Sequence, residues 1–489
     1  MTDTITPTPT AAASTAPQAA AAAAAAAPAV AAASREERAR WLEAVADALD
    51  AAKAELVPVA VAESHLPEAR LTGEVGRTTG QLRLFAEVLR DGAYLEVIVD
   101  HARPEATPPQ PELRRMLVPT GPVAVYSASN FPFAFSVAGG DTASALAAGC
   151  PVVVKAHSGH PELSRRTAAV VATALAEAGA PDGMFGLIEG TEAGRVLIQE
   201  PAITAGAFTG SLTGGRALFD LASERPAPIP FYAELGSINP VVVTADAVAG
   251  DGAALAKGLV GSFTLGAGQF CTKPGVVFVP EGTGFEDRVA EAMGQASAAP
   301  LLNRRIADGF GQGIGELAEH AAVDLVAGSR SAADADAPAP LVLATSADAV
   351  AADPGALLAE CFGPVTLLIR YSSTEELSTA LAAVEGSLTG TIHAAGGEDA
   401  RELTALLAPR VGRLLFGGWP TGVAVTWSQH HGGPWPATTS LHTSVGATAI
   451  RRFLRPLTFQ DAPESVLPAE LHESNPLGIP RRVDGVLEV

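Results

Sequence analysis

From Pro122 onward, short valine-rich runs alternate with longer alanine- and leucine-rich stretches, and this rhythm constrains the fold more than any other feature. Val123–Tyr126, 152–154, Phe185–Ile188 and 203–208 read as strands; 142–148, 162–178, 192–198 and a stretch near 216–222 read as the helices between them. Short apolar strands separated by amphipathic helices predict a parallel sheet with crossover helices on its faces. A second α/β stretch begins after Pro240, with 253–265 helical and 276–279 a strand.

The chain has 489 residues, too many for one ordinary core, so two or three domains are expected. Its 48% hydrophobic and 17% charged residues are those of a globular protein. A formal charge of -21 argues against nucleic acid as a partner, because neutralising phosphates takes clustered Lys and Arg. No apolar run reaches the roughly 18 residues of a membrane span. The alanine-rich stretch 19–27 is broken by Pro28 and lacks a basic leader, so it reads as neither signal peptide nor anchor. Three cysteines, Cys150, Cys271 and Cys361, without a Cys-x-x-Cys spacing suggest free thiols in a reducing compartment, and hence a cytoplasmic location.

Residues 1–33 read as a flexible or loosely helical low-complexity leader. Ser34-Arg35-Glu36-Glu37 is a capping box, opening a helix that carries Trp41, Val45, Leu49 and Leu56 on one face. The Ala/Asp/Pro-rich stretch 332–340 reads as a surface loop. The Gly-, Pro-, Trp- and His-rich segment 417–439 should be irregular and line a site. The proline-punctuated tail is expected to wrap a surface without forming a core.

Gly268-Gln269-Phe270-Cys271-Thr272 and Phe231-Tyr232-Ala233-Glu234-Leu235-Gly236 hold the chemistry. A free cysteine alone is most often a small buried hydrophobe. Here glycines let the backbone bend close to a ligand, and Lys273 alongside offers charge to favour the thiolate. Glu234 follows an aromatic pair, and burial would raise its pKa towards the range of a general base. Asn130, in Ser129-Asn130-Phe131-Pro132, follows a strand, where a carboxamide can meet a developing oxyanion or simply form a turn. Glu360 and Lys155 read equally as solvated charges. Ten histidines show no His-x-x-x-His pair, so no metal is expected. The Gly-x-Gly-x-x-Gly fingerprint is missing, but Gly210-Ser211 and Gly214-Gly215 flank a helix start whose free amides can hold a pyrophosphate.

Together these segments resemble the aldehyde dehydrogenase superfamily from about Ser34 to Gln460. The resemblance is nearest to the branch of α-ketoglutaric semialdehyde (2,5-dioxopentanoate) dehydrogenases and related NADP-dependent enzymes. The branch marks are Leu66-Pro67-Glu68-Ala69-Arg70-Leu71, Arg77-Thr78-Thr79-Gly80-Gln81-Leu82, the Glu234-Leu235-Gly236-Ser237-Ile238-Asn239-Pro240 run, and His431-Gly432-Gly433-Pro434-Trp435-Pro436-Ala437-Thr438-Thr439. It implies Cys271 as the nucleophile, Asn130 with the Cys271 amide as the oxyanion hole, and Glu234 as activator of the hydrolytic water. It likewise implies Glu360 at the nicotinamide ribose with Phe362 nearby, Lys155 at the adenosine ribose, and Gly210, Ser211 and Gly215 at the pyrophosphate. Ser158 stands where many NAD-preferring relatives carry a carboxylate. Serine removes repulsion of a 2′-phosphate, and Lys155, His157 or Arg195 can neutralise it, so NADP is favoured over NAD.

The implied architecture is a Rossmann-like cofactor domain (34–100 and 120–235), an α/β catalytic domain (236–444), and a small β bridging element (101–119 and 445–465) that joins subunits of a homodimer or homotetramer. Residues 466–489 form the tail. Two departures stand out: a low-complexity leader replaces the family's opening strand hairpin, and the stretch from Cys271 to Glu360 is short. The expected activity is NAD(P)-dependent oxidation of a short aldehyde, α-ketoglutaric semialdehyde first. Competing readings are a medium- or long-chain aldehyde dehydrogenase with a tunnel lined by Trp419, Trp427 and Trp435, nucleotide-free ester hydrolysis by Cys271 and Glu234, and a non-catalytic nucleotide-binding relative.

Overall fold

The computed structural model describes residues 15–329 and 337–488. Most of the stretch expected to form the 332–340 loop, and the first part of the leader, lie outside the described residues.

The alternation seen from Pro122 becomes a five-stranded parallel sheet, in the spatial order Phe185–Ile188, Val152–Lys155, Val123–Tyr126, Ala205–Thr209, Phe231–Glu234. Helices Gly140–Ala148, Pro161–Glu177, Thr191–Gln199 and Leu212–Ser223 connect the strands. The chain leaves the central strand Val123–Tyr126 in one direction and later returns to its other side, which makes a topological switch point; ligands bind beyond the carboxyl ends of strands there. Phe231–Glu234 is the strand that the spacing of apolar runs did not announce.

A second, seven-stranded sheet runs in the order Asp324–Ala327, Leu341–Ser346, Val365–Tyr371, Val276–Pro280, Val241–Val243, Ser387–His393, Val411–Phe416, and is parallel except for its first strand. The central strands Val241–Val243 and Val276–Pro280 are apolar throughout because helices cover the sheet; Val241, Val242, Val243, Val277 and Phe278 are wholly buried.

The Ser34 capping box forms: the Ser34 amide donates to Glu37 at 2.8 Å, and Ser34 Oγ accepts from the Glu37 amide at 3.2 Å. The helix it opens ends at Ala51, so Leu56 belongs to the next helix, Lys53–Ser64. Glu68–Asp91 follows, burying Leu71, Val75, Leu82, Phe85 and Leu89 along one stripe.

Two expectations need correction. The described part of the leader is not loose: Ala16–Ala32 is a helix whose buried Ala16, Ala19, Ala20, Ala23, Ala26 and Val30 recur at helical spacing. It packs against Val153 and Ile188 of the cofactor sheet, so closely that a side chain at Gly183 would meet the Ala22 carbonyl oxygen at 2.5 Å. The tail does contribute to a core. Arg481–Val483 and Val486–Glu488 complete a five-stranded sheet with Leu454–Gln460, Leu113–Pro119 and Val97–Asp100, and Leu467, Leu471 and Ile479 are buried beneath. The bridging element therefore starts ahead of residue 101 and extends past 465.

Candidate active site

Cys271 lies on the loop between helix Ala245–Thr264 and strand Val276–Pro280. Gly268 within it has φ +68°, and a Cβ there would fall 2.2 Å from the Gly363 carbonyl oxygen. Glycine thus lets the Cys271 loop lie directly against the loop carrying Glu360 and Phe362. Asn239, from the Glu234–Pro240 run, staples the other side: its Nδ2 donates to the carbonyls of Cys271 at 2.8 Å and Lys273 at 3.0 Å.

Glu234 ends the edge strand Phe231–Glu234 and is buried. The irregular segment expected at 417–439 lacks helix and strand, as read, but its end lies along this strand. The Leu235 amide donates to Ala437 at 2.8 Å and the Thr439 amide to Ala233 at 3.1 Å. That pairing delivers His431, which sequence reasoning quoted as a family mark but gave no role. His431 Nε2 stands 3.0 Å from Glu234 Oε1 and 3.5 Å from Cys271 Sγ. Ser444 Oγ donates to the second Glu234 oxygen at 2.8 Å. The donor atoms of Glu234, Cys271 and His431 all lie within 4.8 Å of one another. Such a trio also has the composition of a metal-ligand set, which histidine spacing could not disclose because its members come from three distant segments.

Burial pushes the Cys271 thiol well above its usual value, the Glu234 carboxylate adds to this, and Arg77 opposes it. Lys273 is not the cation that steadies the sulfur, as its neighbourhood in sequence suggested: its Nζ is buried and donates to the carbonyls of Cys361 at 2.8 Å and Val365 at 2.9 Å. The expected upward shift of Glu234 is also reversed. Burial raises it, but the His431 imidazole and hydrogen bonds from His431, Ser444 and the thiol outweigh that and hold the carboxyl below its ordinary value. The resting site therefore pairs a protonated thiol with an ionised acid.

Asn130 faces the nucleophile loop, its Nδ2 donating to the Gln269 carbonyl at 3.0 Å. Its own carbonyl accepts from Arg70 Nη2 at 2.6 Å. Glu74 Oε1 accepts the amides of Phe133 at 2.8 Å and Ala134 at 3.0 Å, fixing the turn that presents Asn130.

At the switch point, Ser211 caps helix Leu212–Ser223 by accepting the Gly214 amide at 3.2 Å. The Gly210 amide donates to the Glu234 carbonyl at 3.0 Å, placing this turn beside the site. A side chain at Gly215 would meet Leu235 Cδ2 at 2.1 Å, so only glycine lets the helix start approach the strand end. This cradle fits a dinucleotide phosphate. Lys155 ends its strand, half-buried, and burial lowers its pKa with Arg305 acting in the same direction. Ser158 is exposed alongside. Burial, with His160, Lys155 and Arg305, holds His157 down to about 3, so it meets a ligand as a neutral donor. Arg195 is exposed and pairs with Glu192 at 3.7 Å. Glu360 is solvent-accessible, and its carboxyl reaches over Gly236, whose Cβ would lie 2.6 Å from Glu360 Oε2. Desolvation by its neighbours raises that carboxyl to about 7, with Lys273 and the Ser237 amide opposing the rise. Phe362 is half-buried beside it. Cys150 and Cys361 are core residues.

The three tryptophans do not form a tunnel. Trp427 and Trp435 are about half exposed, and Trp419 packs on His393 with ring centroids 4.6 Å apart. Phe131, Phe135 and Phe270 make the aromatic wall: Phe131 packs on Phe270 at 5.1 Å and on Phe135 at 5.4 Å between centroids.

A thiol, an acid and a carboxamide around one opening, beside a phosphate cradle, define a thiol-dependent aldehyde oxidoreductase. Residues 2–452 match the aldehyde dehydrogenase family, and the chain belongs to it. It is similar to alpha-ketoglutaric semialdehyde dehydrogenase 2 of Azospirillum brasilense, with 48% identity across 92% of this chain and 87% of that protein. It is similar to the alpha-ketoglutaric semialdehyde dehydrogenase of Acinetobacter baylyi, with 42% identity across 93% of this chain and 88% of the relative. Its fold is shared with Thermus thermophilus 1-pyrroline-5-carboxylate dehydrogenase at a TM-score of 0.78 and 22% identity, over 92% of this chain and 86% of that one. The protein is thus an enzyme that oxidises aldehydes, in a family that uses NAD(P)+ and is commonly oligomeric.

Proposed function

We propose that the enzyme oxidises α-ketoglutaric semialdehyde to the corresponding dicarboxylate with NADP+, as a homodimer or homotetramer in the cytoplasm. The convergence of the Glu234, His431 and Cys271 donor atoms within 4.8 Å carries the chemistry. The substrate is supported by the names and high identity of the Azospirillum and Acinetobacter relatives. NADP is supported by the missing carboxylate at Ser158 and by the Lys155 and Arg305 cations, both of which act on the adjoining His157. The bridging sheet supports assembly, since Val486 and Leu487 on its edge strand are 67% and 59% exposed. Three free cysteines support a reducing compartment.

The Cys271 sulfur attacks the aldehyde carbon while its proton passes to the neighbouring base, Glu234 or His431, and from there to solvent, which leaves Glu234 ionised for the later step. The carbonyl oxygen becomes an oxyanion that Asn130 Nδ2 and the Cys271 amide receive. A bound dinucleotide, held at Gly210, Ser211, Gly215, Lys155 and Glu360, supplies the acceptor for the substrate's hydride. With that hydride gone, the oxyanion collapses back to a carbonyl, and the carbon–sulfur bond already made is then a thioester. Glu234 takes a proton from water, the water oxygen bonds to the carbonyl carbon, and the carbon–sulfur bond breaks to release the acid, the proton passing from Glu234 to the departing sulfur. His431 and Ser444 hold Glu234 in the orientation this needs.

Absorbance at the reduced-nicotinamide band, followed across an aldehyde panel with each nucleotide, tests the proposal. The keto-semialdehyde with NADP+ should give the highest kcat/KM; a panel led by hexanal would refute the substrate. Ser158→Glu should weaken NADP+ use selectively, and an equal loss with NAD+ would refute that assignment.

A further inference from the structure

The substrate proposed above has a carboxylate at its far end, and a family-wide nucleophile, acid and oxyanion hole offer it nothing specific. Two guanidinium groups do. Arg77 lies on the Glu68–Asp91 helix, its Cζ 5.2 Å from the Phe135 ring centroid and 5.8 Å from that of Phe131. Arg413 lies on strand Val411–Phe416, far away in the chain. Both reach the same few residues of the irregular wall. Arg77 Nη2 donates to the Val423 carbonyl at 3.4 Å, while Arg413 donates to Gly422 at 3.0 Å and Pro420 at 2.7 Å.

Each leaves a buried nitrogen without a partner, Nη1 of Arg77 and Nε of Arg413. Unpaired buried donors are costly, and a cationic one is an open seat for an anion. The acid facing Arg77 from its own helix, Glu74, does not fill it: one oxygen is committed to the Phe133 and Ala134 amides and the other is unpaired. Arg70, on the same helix, also keeps a buried Nη1 without a partner, but its Nη2 is taken by the Asn130 carbonyl and it lies over Phe131 and Phe270, 5.0 Å and 4.7 Å from their centroids, beside the Cys271 loop and away from 420–423.

The position is right for a tail. Phe135, under Arg77, is 6.1 Å from the His431 ring, and His431 is 3.5 Å from the sulfur. The charges of Arg77 and Arg413 both act on the Cys271 thiol. The contacts thus run from the reacting sulfur through His431 and Phe135 to Arg77, whose neighbour on the 420–423 stretch is Arg413.

We propose that Arg77, assisted by Arg413, anchors the distal carboxylate of the substrate, so that the site selects ω-carboxylated aldehydes over uncharged aldehydes of equal length. This rests on the substrate reading above. The bidentate geometry of guanidinium with carboxylate supplies orientation as well as attraction.

The test compares kcat/KM for α-ketoglutaric semialdehyde, glutarate semialdehyde and pentanal in the wild type, Arg77→Met, Arg77→Lys and Arg413→Met. The wild type should favour both carboxylated aldehydes over pentanal. Arg77→Met should reduce that ratio by about tenfold to a hundredfold, the value of a charge-assisted hydrogen bond, chiefly through KM. Arg413→Met should reduce it less, and Arg77→Lys should restore part of it. Using a ratio cancels the effect of Arg77 on the thiol itself, which touches every substrate. A wild-type ratio retained in both methionine variants overturns the anchor and leaves the substrate reading intact. A wild type indifferent to the carboxylate overturns the substrate reading. Should Arg77→Met not fold, Arg413→Met and Arg77→Lys still decide the anchor by the same ratio.

Discussion

The sheet from Val123 to Glu234 and the irregular wall from Gly417 to Val445 meet where Glu234 bridges Thr438, yet their backbones are held differently. In the sheet, backbone pairs with backbone, so the groups at the strand ends are placed by register. In the wall, apart from the 437–439 stretch that pairs with the Glu234 strand, side chains hold much of the backbone: Arg77 and Arg413 grip 420–423, Thr443 accepts the His431 amide at 2.8 Å, and Ser444 donates to the His431 carbonyl at 3.1 Å. A lesion in the sheet should damage the use of every aldehyde. A lesion in the wall should change which aldehydes are used, because the side chains that hold it also face the substrate.

The sharpest separation is at Glu234, where the two regions touch. Glu234→Gln should lower turnover by about 10²- to 10⁴-fold through loss of the water-activating base. A single turnover of nucleotide reduction should survive, seen as a burst in stopped-flow absorbance. Loss of the burst as well would give the carboxylate an earlier role and erase the distinction. His431→Asn, a change in the wall alone, should cost about tenfold to a hundredfold in kcat. It should also move the acid limb of the pH profile upward: the imidazole lowers the Glu234 pKa, so without it the carboxylate is lost at a higher pH as acidity increases. A kcat–pH profile with an unmoved acid limb would show that the imidazole does not govern the acid.

On the sheet side, Gly215→Val forces a branched side chain into the space held by Leu235. Overpacking of this kind should cost about 1–3 kcal/mol, read as a lower apparent melting temperature, together with weaker nucleotide binding by fluorescence titration. The smallest effect is on the sulfur. Arg77→Met should slow iodoacetamide alkylation of Cys271 at neutral pH a few-fold, because the cation that lowers the thiol pKa is gone, whereas Glu234→Gln should speed it. Like signs for the two would defeat the electrostatic account.

What periodicity can express was readable: Val123–Tyr126 and Phe185–Ile188 have the expected bounds, and the Ser34 capping box forms as its spacing requires. Motif glycines and the Cys271 and Glu234 runs were readable too, because close backbone approach leaves few residue choices. Convergence was not. His431 sat in a stretch with no pattern, and nothing in a linear chain places Arg77 and Arg413 on neighbouring carbonyls of one loop. Lys273 misled for the converse reason: adjacency in sequence to Cys271 says nothing about direction, and its ammonium turns towards Cys361 and Val365. The leader misled because alanine is weakly apolar residue by residue. Only its helical recurrence, with each small side chain permitting close approach, makes it a packing surface.

Residues Arg481–Val483 pair in parallel with Val97–Asp100, so strands from opposite ends of the chain share a sheet. During synthesis the cofactor and catalytic halves leave the ribosome before the final two strands exist. The patch through which copies of the enzyme are expected to associate is therefore the last to mature, and a prematurely stopped polypeptide would keep a near-complete chemical centre while lacking the means to assemble.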